Sequence, residues 1–229
     1  MTPAILVAFH RWQPLLCDLA NEIHPERWRR LGLAEPAVAR LLSSPRARQR
    51  LSSNLAWILP EGIGQETALA AWRDWDVPLA LFAVLPGEKL WQAGLKLGAA
   101  LFQPEIARLV RRSEVEAFRA GVGEEIHLFA LRQASRLWRG GSLPGVEELK
   151  GELAPRVASV AALALGAWLT DLPPALAVRV GLKLPPSATD NMAPVENWAP
   201  EVRQAWTKAW SGFLPGVSQV SPVEGRKDG

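Results

Sequence analysis

Cysteine occurs once in the 229 residues, at Cys17, and tyrosine not at all. A single cysteine excludes an intramolecular disulfide and a Cys-rich zinc site, and it fits a reducing compartment. Histidine is nearly as scarce, with only His10, His24 and His127. Their spacing supplies no short ligand pair for zinc. The Gly-Lys-Ser/Thr of a phosphate-binding loop is missing, and so is the Gly-x-Ser-x-Gly of a nucleophile elbow. Cys17 has no catalytic signature around it. A strong excess of charge of one sign is also lacking. The net charge is +3 with a pI near 9.4, short of a committed nucleic-acid binder.

Long apolar runs are scarce. The opening "MTPAILVAFHRW" has no basic n-region and only a short apolar stretch, so no secretory signal is expected there. "VASVAALALGAWL", residues 157–169, would span about 20 Å as a helix against the roughly 30 Å of a bilayer core. It reads as a buried helix. What the chain does have is apolar bulk: 48% hydrophobic residues and eleven tryptophans, whose large apolar areas suit a core. A chain of this length buries roughly 70% of its unfolded surface without help from metal or disulfide.

The periodicity is helical almost throughout. Leu90, Trp91, Leu95, Leu97, Leu101 and Phe102 form a broad apolar face, with Gly94 and Gly98 placed to admit a neighbouring helix. Pro104 opens a basic helix that ends in Arg108, Arg111 and Arg112. Ser113 and Glu116 read as a capping box, and a further helix is expected from about Glu124 to Trp138, ended by Gly140 and Gly141. Near the start, residues 12–31 read as a helix interrupted at Pro25. Pro36 and Pro45 start short helices, with Ser44 capping the second. Residues 59–66 read as a loop, and 142–155 as a linker with one helical turn.

"LAVRVGLKL", 176–184, alternates Leu176, Val178, Val180, Leu182 and Leu184, which favours a half-buried strand, with "AILVAF" at 4–9 as its one weak partner. The alternative is a helix opened by Pro173 and Pro174. Residues 185–200 read as a Pro-rich surface connection. Trp198, Val202, Ala205, Trp206, Ala209, Trp210 and Phe213 then share one helix face. The expected fold is mainly α, a compact multi-helix bundle-like domain with at most a minor strand or hairpin. Its expected divisions are a helical domain 1–186, a Pro-rich connection with a Trp-bearing helix 187–213, and a disordered tail 214–229.

Two constellations invite chemistry. "GVGEEIHLFAL", 121–131, sets Glu124 and His127 at the Glu-x-x-His spacing of di-metal bundles. Such centres need a second pair and two further glutamates, and neither His10 nor His24 follows a Glu by three residues. The simpler reading is a glycine turn with Glu124 and Glu125 favouring a helix start, and His127 on the surface or half-buried. No catalytic residue, metal ligand or cofactor is therefore assigned. The second constellation is basic. Arg27, Arg29 and Arg30 surround Trp28, and Arg40, Arg46, Arg48 and Arg50 follow, opposed only by Glu35. Such a strip suits a solvated helix face, an acidic protein surface or nucleic acid. Trp206 and Trp210 suit a core helix or one that docks on a partner.

The segment "LFAVLPGEKLWQAGLKLGAALFQPEIARLVRRSEVEAFRAGVGEEIHLFAL", 81–131, resembles the SctK family (YscK and PscK type) of type III secretion proteins. "NEIHPERW", 21–28, is similar to the short Ile-His-Pro stretch near the start of these proteins, and "LAVRVGLKLPP" to their closing Arg-bearing stretch. The likeness covers roughly residues 15–186. His127 stands where the family often carries an aromatic, and the three tryptophans beyond Pro186 exceed its core pattern. The resemblance implies a non-enzymatic adaptor of the sorting platform, cytoplasmic and at the cytosolic face of the inner membrane. It implies linking the cytoplasmic domain of the SctD-type inner-membrane ring protein to the SctQ-type pod protein, with the SctL-type stator as a further neighbour. It implies no cofactor, no nucleic acid, and membrane association through partners only. Arg27, Trp28, Arg29, Arg30, Arg46, Arg48, Arg50, Trp206 and Trp210 are the expected partner-binding residues. The alternatives are a metal-dependent helical enzyme centred on Glu124 and His127, and a weakly basic nucleic-acid binder.

Overall fold

A computed structural model describes residues 18–55, 80–190, 195 and 197–214. Among the described residues all regular structure is helical and there is no strand. The expected loop 59–66, the partner strand 4–9 and residues 215–229 of the tail lie outside them, as do Cys17 and His10. The helices are α1 (Leu19–Glu22), α2 (Pro25–Arg30), α3 (Glu35–Ser43), α4 (Pro45–Asn54), α5 (Ala80–Ala83), α6 (Gly87–Leu101) and α7 (Gln103–Ile106). They continue with α8 (Arg112–Val122), α9 (Glu124–Arg132), α10 (Ala134–Leu137), α11 (Leu153–Thr170), α12 (Pro174–Lys183), α13 (Pro186–Asp190) and α14 (Pro200–Ser211).

Helix α11 is the axis of the molecule. Its buried positions, from Val157 through Ala161 and Leu165 to Trp168 and Leu169, run round most of its circumference. A helix apolar on all sides is driven to the centre of a bundle. It is longer than the expected 157–169, and by length and composition alone it could cross a membrane, but α6, α8, α13 and α14 pack on it. Its closest neighbour is α6. A Cβ on Gly94 would stand 2.8 Å from Ala161 Cβ, and one on Gly98 would stand 2.6 Å from Val157 O. Position 94 meets 161 and position 98 meets 157, so the two helices run antiparallel. Glycine spacing of four, met by Val157 and Ala161 at the same spacing, lets the backbones touch.

Helix α14 closes the other side. Trp206 and Trp210 are 0% exposed. Trp210 lies 4.9 Å from Trp168, ring centre to ring centre, and donates its indole N–H to Leu90 O at 3.3 Å. Trp206 donates to Pro144 O at 3.2 Å. That bond ties down the connection before α11 near its single 3-10 turn, Val146–Glu148, with Leu143 and Val146 buried; the expected linker 142–155 ends at Glu152, its last three residues opening α11. Both of these indole N–H groups are satisfied, whereas those of buried Trp28 and Trp168 have no hydrogen-bond partner among the described residues.

Several local expectations are corrected. Residues 174–183 form helix α12, not a strand. Pro173 stands at its N-cap and Pro174 at N1, where a missing N–H costs nothing. The alternation misled because Arg179 and Lys183, which look solvent-facing, are themselves buried. The Ser113–Glu116 capping box does not form. The N-cap is Arg111, two residues before Ser113, and Glu116 accepts from Arg112 Nε at 2.7 Å. The expected 124–138 helix breaks at Gln133, which leaves helical geometry at φ −127°. In the 185–200 connection, α13 packs on α11 with Ala188 buried, and the 186/187 division falls inside it. Ser44 caps α4 as its sequence suggests, accepting from Ala47 N–H.

Candidate partner-docking surface

Three stretches far apart in the sequence meet at one place. His24 N–H donates to Leu182 O at 2.9 Å, which joins "NEIHPERW" to "LAVRVGLKLPP" across the length of the chain. Lys183 sits between them and "LFAVLPGEK". Its ammonium donates to Ala83 O at 3.1 Å and lies 3.1 Å from Glu22 Oε2. Gly87, the first residue of α6, has Lys183 O directly against its Cα, where any side chain would collide.

The side chain of Lys183 is 1% exposed and that of Glu22 23%. Burial pushes the Lys183 amine below its ordinary value, and the Glu22 carboxylate works in the opposite direction. An amine of lowered pKa beside a cleft of about 750 Å³, lined by Glu22, His24, Trp28, Glu35, Glu88 and Lys183 among apolar side chains, is a combination that active sites use. Here its nitrogen is held by one carbonyl and one carboxylate, both from segments that it joins. The arrangement is a latch. The sequence offered no sign of it, because Lys183 reads as the polar side of a strand.

The basic strip divides into two groups. Arg27 is committed to the fold: its Nε donates to Leu184 O at 3.0 Å and its Nη2 to Thr189 Oγ1 at 2.7 Å. Arg30 pairs with Asp190 at 2.9 Å, and Arg48 with Asp18 at 3.2 Å. Burial raises the Asp18 carboxyl above its ordinary value, with Arg48 opposing. Trp28 is buried under this junction. Arg29 is exposed, 3.9 Å from the equally exposed Glu35, a separation at which solvent screens most of the attraction.

Arg40, Arg46 and Arg50 are exposed and form no ion pair among the described residues. Of the nine residues expected to bind partners, Arg27, Trp28, Arg30, Arg48, Trp206 and Trp210 are thus held in internal contacts. Arg46 and Arg50 have no ion pair among the described residues, and Arg29 is only weakly engaged. A second arginine-bearing surface was not foreseen. Arg132, Arg136 and Arg139 are exposed on the outer side of α9, α10 and the residues after them, next to exposed Leu131 and Leu137.

The Glu124–His127 turn opens α9 after Gly123 as expected, with Glu124 and Glu125 in its first turn, but His127 is not the surface or half-buried residue expected. His127 is 4% exposed and stacks edge-on to Phe118 at 5.8 Å. Its Nδ1 accepts from Arg119 Nε at 3.1 Å, and Glu124 lies 3.7 Å from the same guanidinium. Burial and then the Arg119 charge hold the imidazole below its ordinary pKa, with Glu124 pulling the other way. A ring nitrogen already bonded to a cation has no lone pair left for a metal at that atom. Among the described residues no group of three His, Cys, Asp or Glu is placed to share an ion.

Comparison with family models, with curated proteins and with solved structures finds no match to the chain.

Proposed function

We propose that the chain is a non-enzymatic adaptor of a bacterial type III secretion system. In this reading it works in the cytoplasm at the inner membrane and links the cytoplasmic domain of an SctD-type ring protein to an SctQ-type pod protein. The observation that carries the reading is the convergence at Lys183. Three stretches picked out by resemblance, 21–28, the start of 81–131 and 176–186, are held together by Glu22, Ala83, Leu182 and Gly87. Motifs that recur because they close a fold are expected to meet in such a junction. Motifs that recur for catalysis are expected to line an open site with free reactive groups.

The chemistry agrees with a binding role. The most reactive buried groups, Lys183 and His127, are each occupied by internal hydrogen bonds. Among the described residues, exposed arginines without an ion pair stand on α3 and α4 (Arg40, Arg46 and Arg50) and along α9–α10, while exposed charges of both signs without one, such as Lys89, Glu147, Glu148 and Lys208, are scattered elsewhere. A protein that joins two neighbours needs two surfaces, and the two arginine groups stand on different helices.

The test is affinity capture of the tagged chain from cells that produce it, with the co-purified proteins identified by mass spectrometry. The adaptor reading expects ring and pod proteins in the same eluate at comparable yield. Recovery of neither, from cells that assemble the secretion apparatus, refutes it.

A further inference from the structure

The corner between α3 and α4 carries two exposed arginines, Arg46 and Arg50, that form no ion pair among the described residues. Leu41, Ser44, Arg46, Ala47, Arg50 and Leu51 line a shallow groove of about 540 Å³. Leu41, at the end of α3, is one of the few large apolar side chains left exposed, at 36%. On α4, Arg46 and Arg50 are one helical turn apart, and so are Ala47 and Leu51. Residues four apart on a helix stand one above the other. The groove therefore has two parallel rows: an apolar floor of Ala47 and Leu51 faced by Leu41, and a rail of two guanidinium groups beside it. Arg48, on the same helix, is turned to Asp18, which leaves the rail to Arg46 and Arg50 alone.

We infer that this groove docks an acidic amphipathic helix of a protein partner. Carboxylates one turn apart on that helix match the spacing of the two arginines, and each pairing can be bidentate. An apolar side chain on its adjacent face covers Leu41, Ala47 and Leu51. Two features argue against a nucleic-acid occupant. A phosphate backbone gains from a long basic track, and two arginines are a short one. A leucine floor gives nothing to phosphates. The groove is independent of which partner presents the helix. That it belongs to a secretion-ring or pod protein rests on the adaptor reading above.

The test titrates the full chain with a labelled synthetic helical peptide that carries Glu at i and i+4 beside a leucine row. The same peptide with Gln for Glu and a 12-base-pair DNA duplex serve as comparisons, all at about 0.15 M salt. The Glu peptide is expected to bind, and the Gln peptide about tenfold more weakly. Arg46→Glu/Arg50→Glu should weaken the Glu peptide by about tenfold or more, since like charges then face each other. Leu41→Ser should weaken both peptides, and circular dichroism should show the native fold in each variant. Equal affinity of wild type and double variant overturns the inference, as does no detectable peptide binding or a preference for the duplex. The two readings fail separately. Equal affinity of wild type and double variant for the Glu peptide, with ring and pod proteins still captured, sinks the groove and spares the adaptor. Peptide binding without capture of either protein does the reverse.

Discussion

Replacing Gly94 or Gly98 by alanine sets two effects of known sign against each other. Alanine is the better helix former by about 1 kcal/mol, so a glycine in the middle of an exposed helix should gain stability from the exchange. On α6 the new methyl group has nowhere to go. At position 94 it would lie 2.8 Å from Ala161 Cβ and 2.9 Å from Ala161 Cα, and at position 98 it would lie 2.6 Å from Val157 O and 3.1 Å from Val157 Cα. These neighbours are backbone atoms or a Cβ, so no rotamer change relieves the contact. The helices must separate along the interface on which the bundle is built, and overpacking of that kind costs about 1–3 kcal/mol.

The net expectation is a loss of up to about 2 kcal/mol for each single variant, after the propensity gain is subtracted. In a domain of this size that lowers the thermal midpoint by up to roughly 8 °C. The double variant should lose less than the sum, because helices already forced apart leave room for the second methyl group. Gly181→Ala on α12 is the control. Its Cβ would meet only Thr189 Cγ2, at 3.8 Å, an ordinary contact, so it should be neutral or stabilising by up to about 1 kcal/mol. Urea denaturation followed by tryptophan fluorescence reads all four variants against the wild type. Stabilisation at positions 94 and 98 by the propensity value would refute the close approach of α6 and α11.

Three further outcomes follow from named contacts. Arg27→Ala removes the donors to Leu184 O and Thr189 Oγ1 and should cost about 1–3 kcal/mol, while Arg50→Ala should stay within about 0.5 kcal/mol; urea midpoints of the pair show whether the basic strip divides as described. Trp210→Ala should cost about 3–5 kcal/mol, and a loss below 1 kcal/mol in the same assay would mean that α14 is not seated in the core. His127 has a folded pKa below its ordinary 6.5, so the unfolded chain takes up its proton first and stability falls as pH drops from 6.5 through the folded value. His24 acts in the same direction through its own burial, whereas Asp18, raised by burial, acts oppositely and only in the carboxylate range. His127→Gln should therefore show a smaller loss of urea midpoint between pH 7.5 and 5.5 than the wild type, and an unchanged loss would contradict the buried neutral imidazole.

The helical class was legible because most helices here bury one face and leave the other wet, so a 3.6-residue period survives in the sequence. Gly94 and Gly98 were legible too, since four-residue spacing on an apolar face leaves few other purposes. Helix α12 was not legible. It is buried on nearly all sides, its two cations point inward, and a helix without a wet face has no helical period to display. Arg27 and Arg30 illustrate a second limit. Their sequence neighbourhood is that of a solvated strip, and the groups that claim them, Leu184, Thr189 and Asp190, lie more than 150 residues away. The pairing of Lys183 with Glu22 was hidden for the same reason. Trp206 and Trp210 were legible as one face of a helix, but whether that face met the core or a partner depended on Trp168, Leu90 and Pro144, which no local pattern names.

The account turns on whether this helical body joins two proteins at once. The direct measurement mixes the purified chain with the recombinant cytoplasmic domain of the ring protein and with the pod protein, and weighs the products by size-exclusion chromatography with light scattering. One species holding all three, with neither partner binding the other when the chain is omitted, is the predicted result. Ring domain and pod protein that elute together without the chain, or a chain that elutes alone in every mixture, would contradict it.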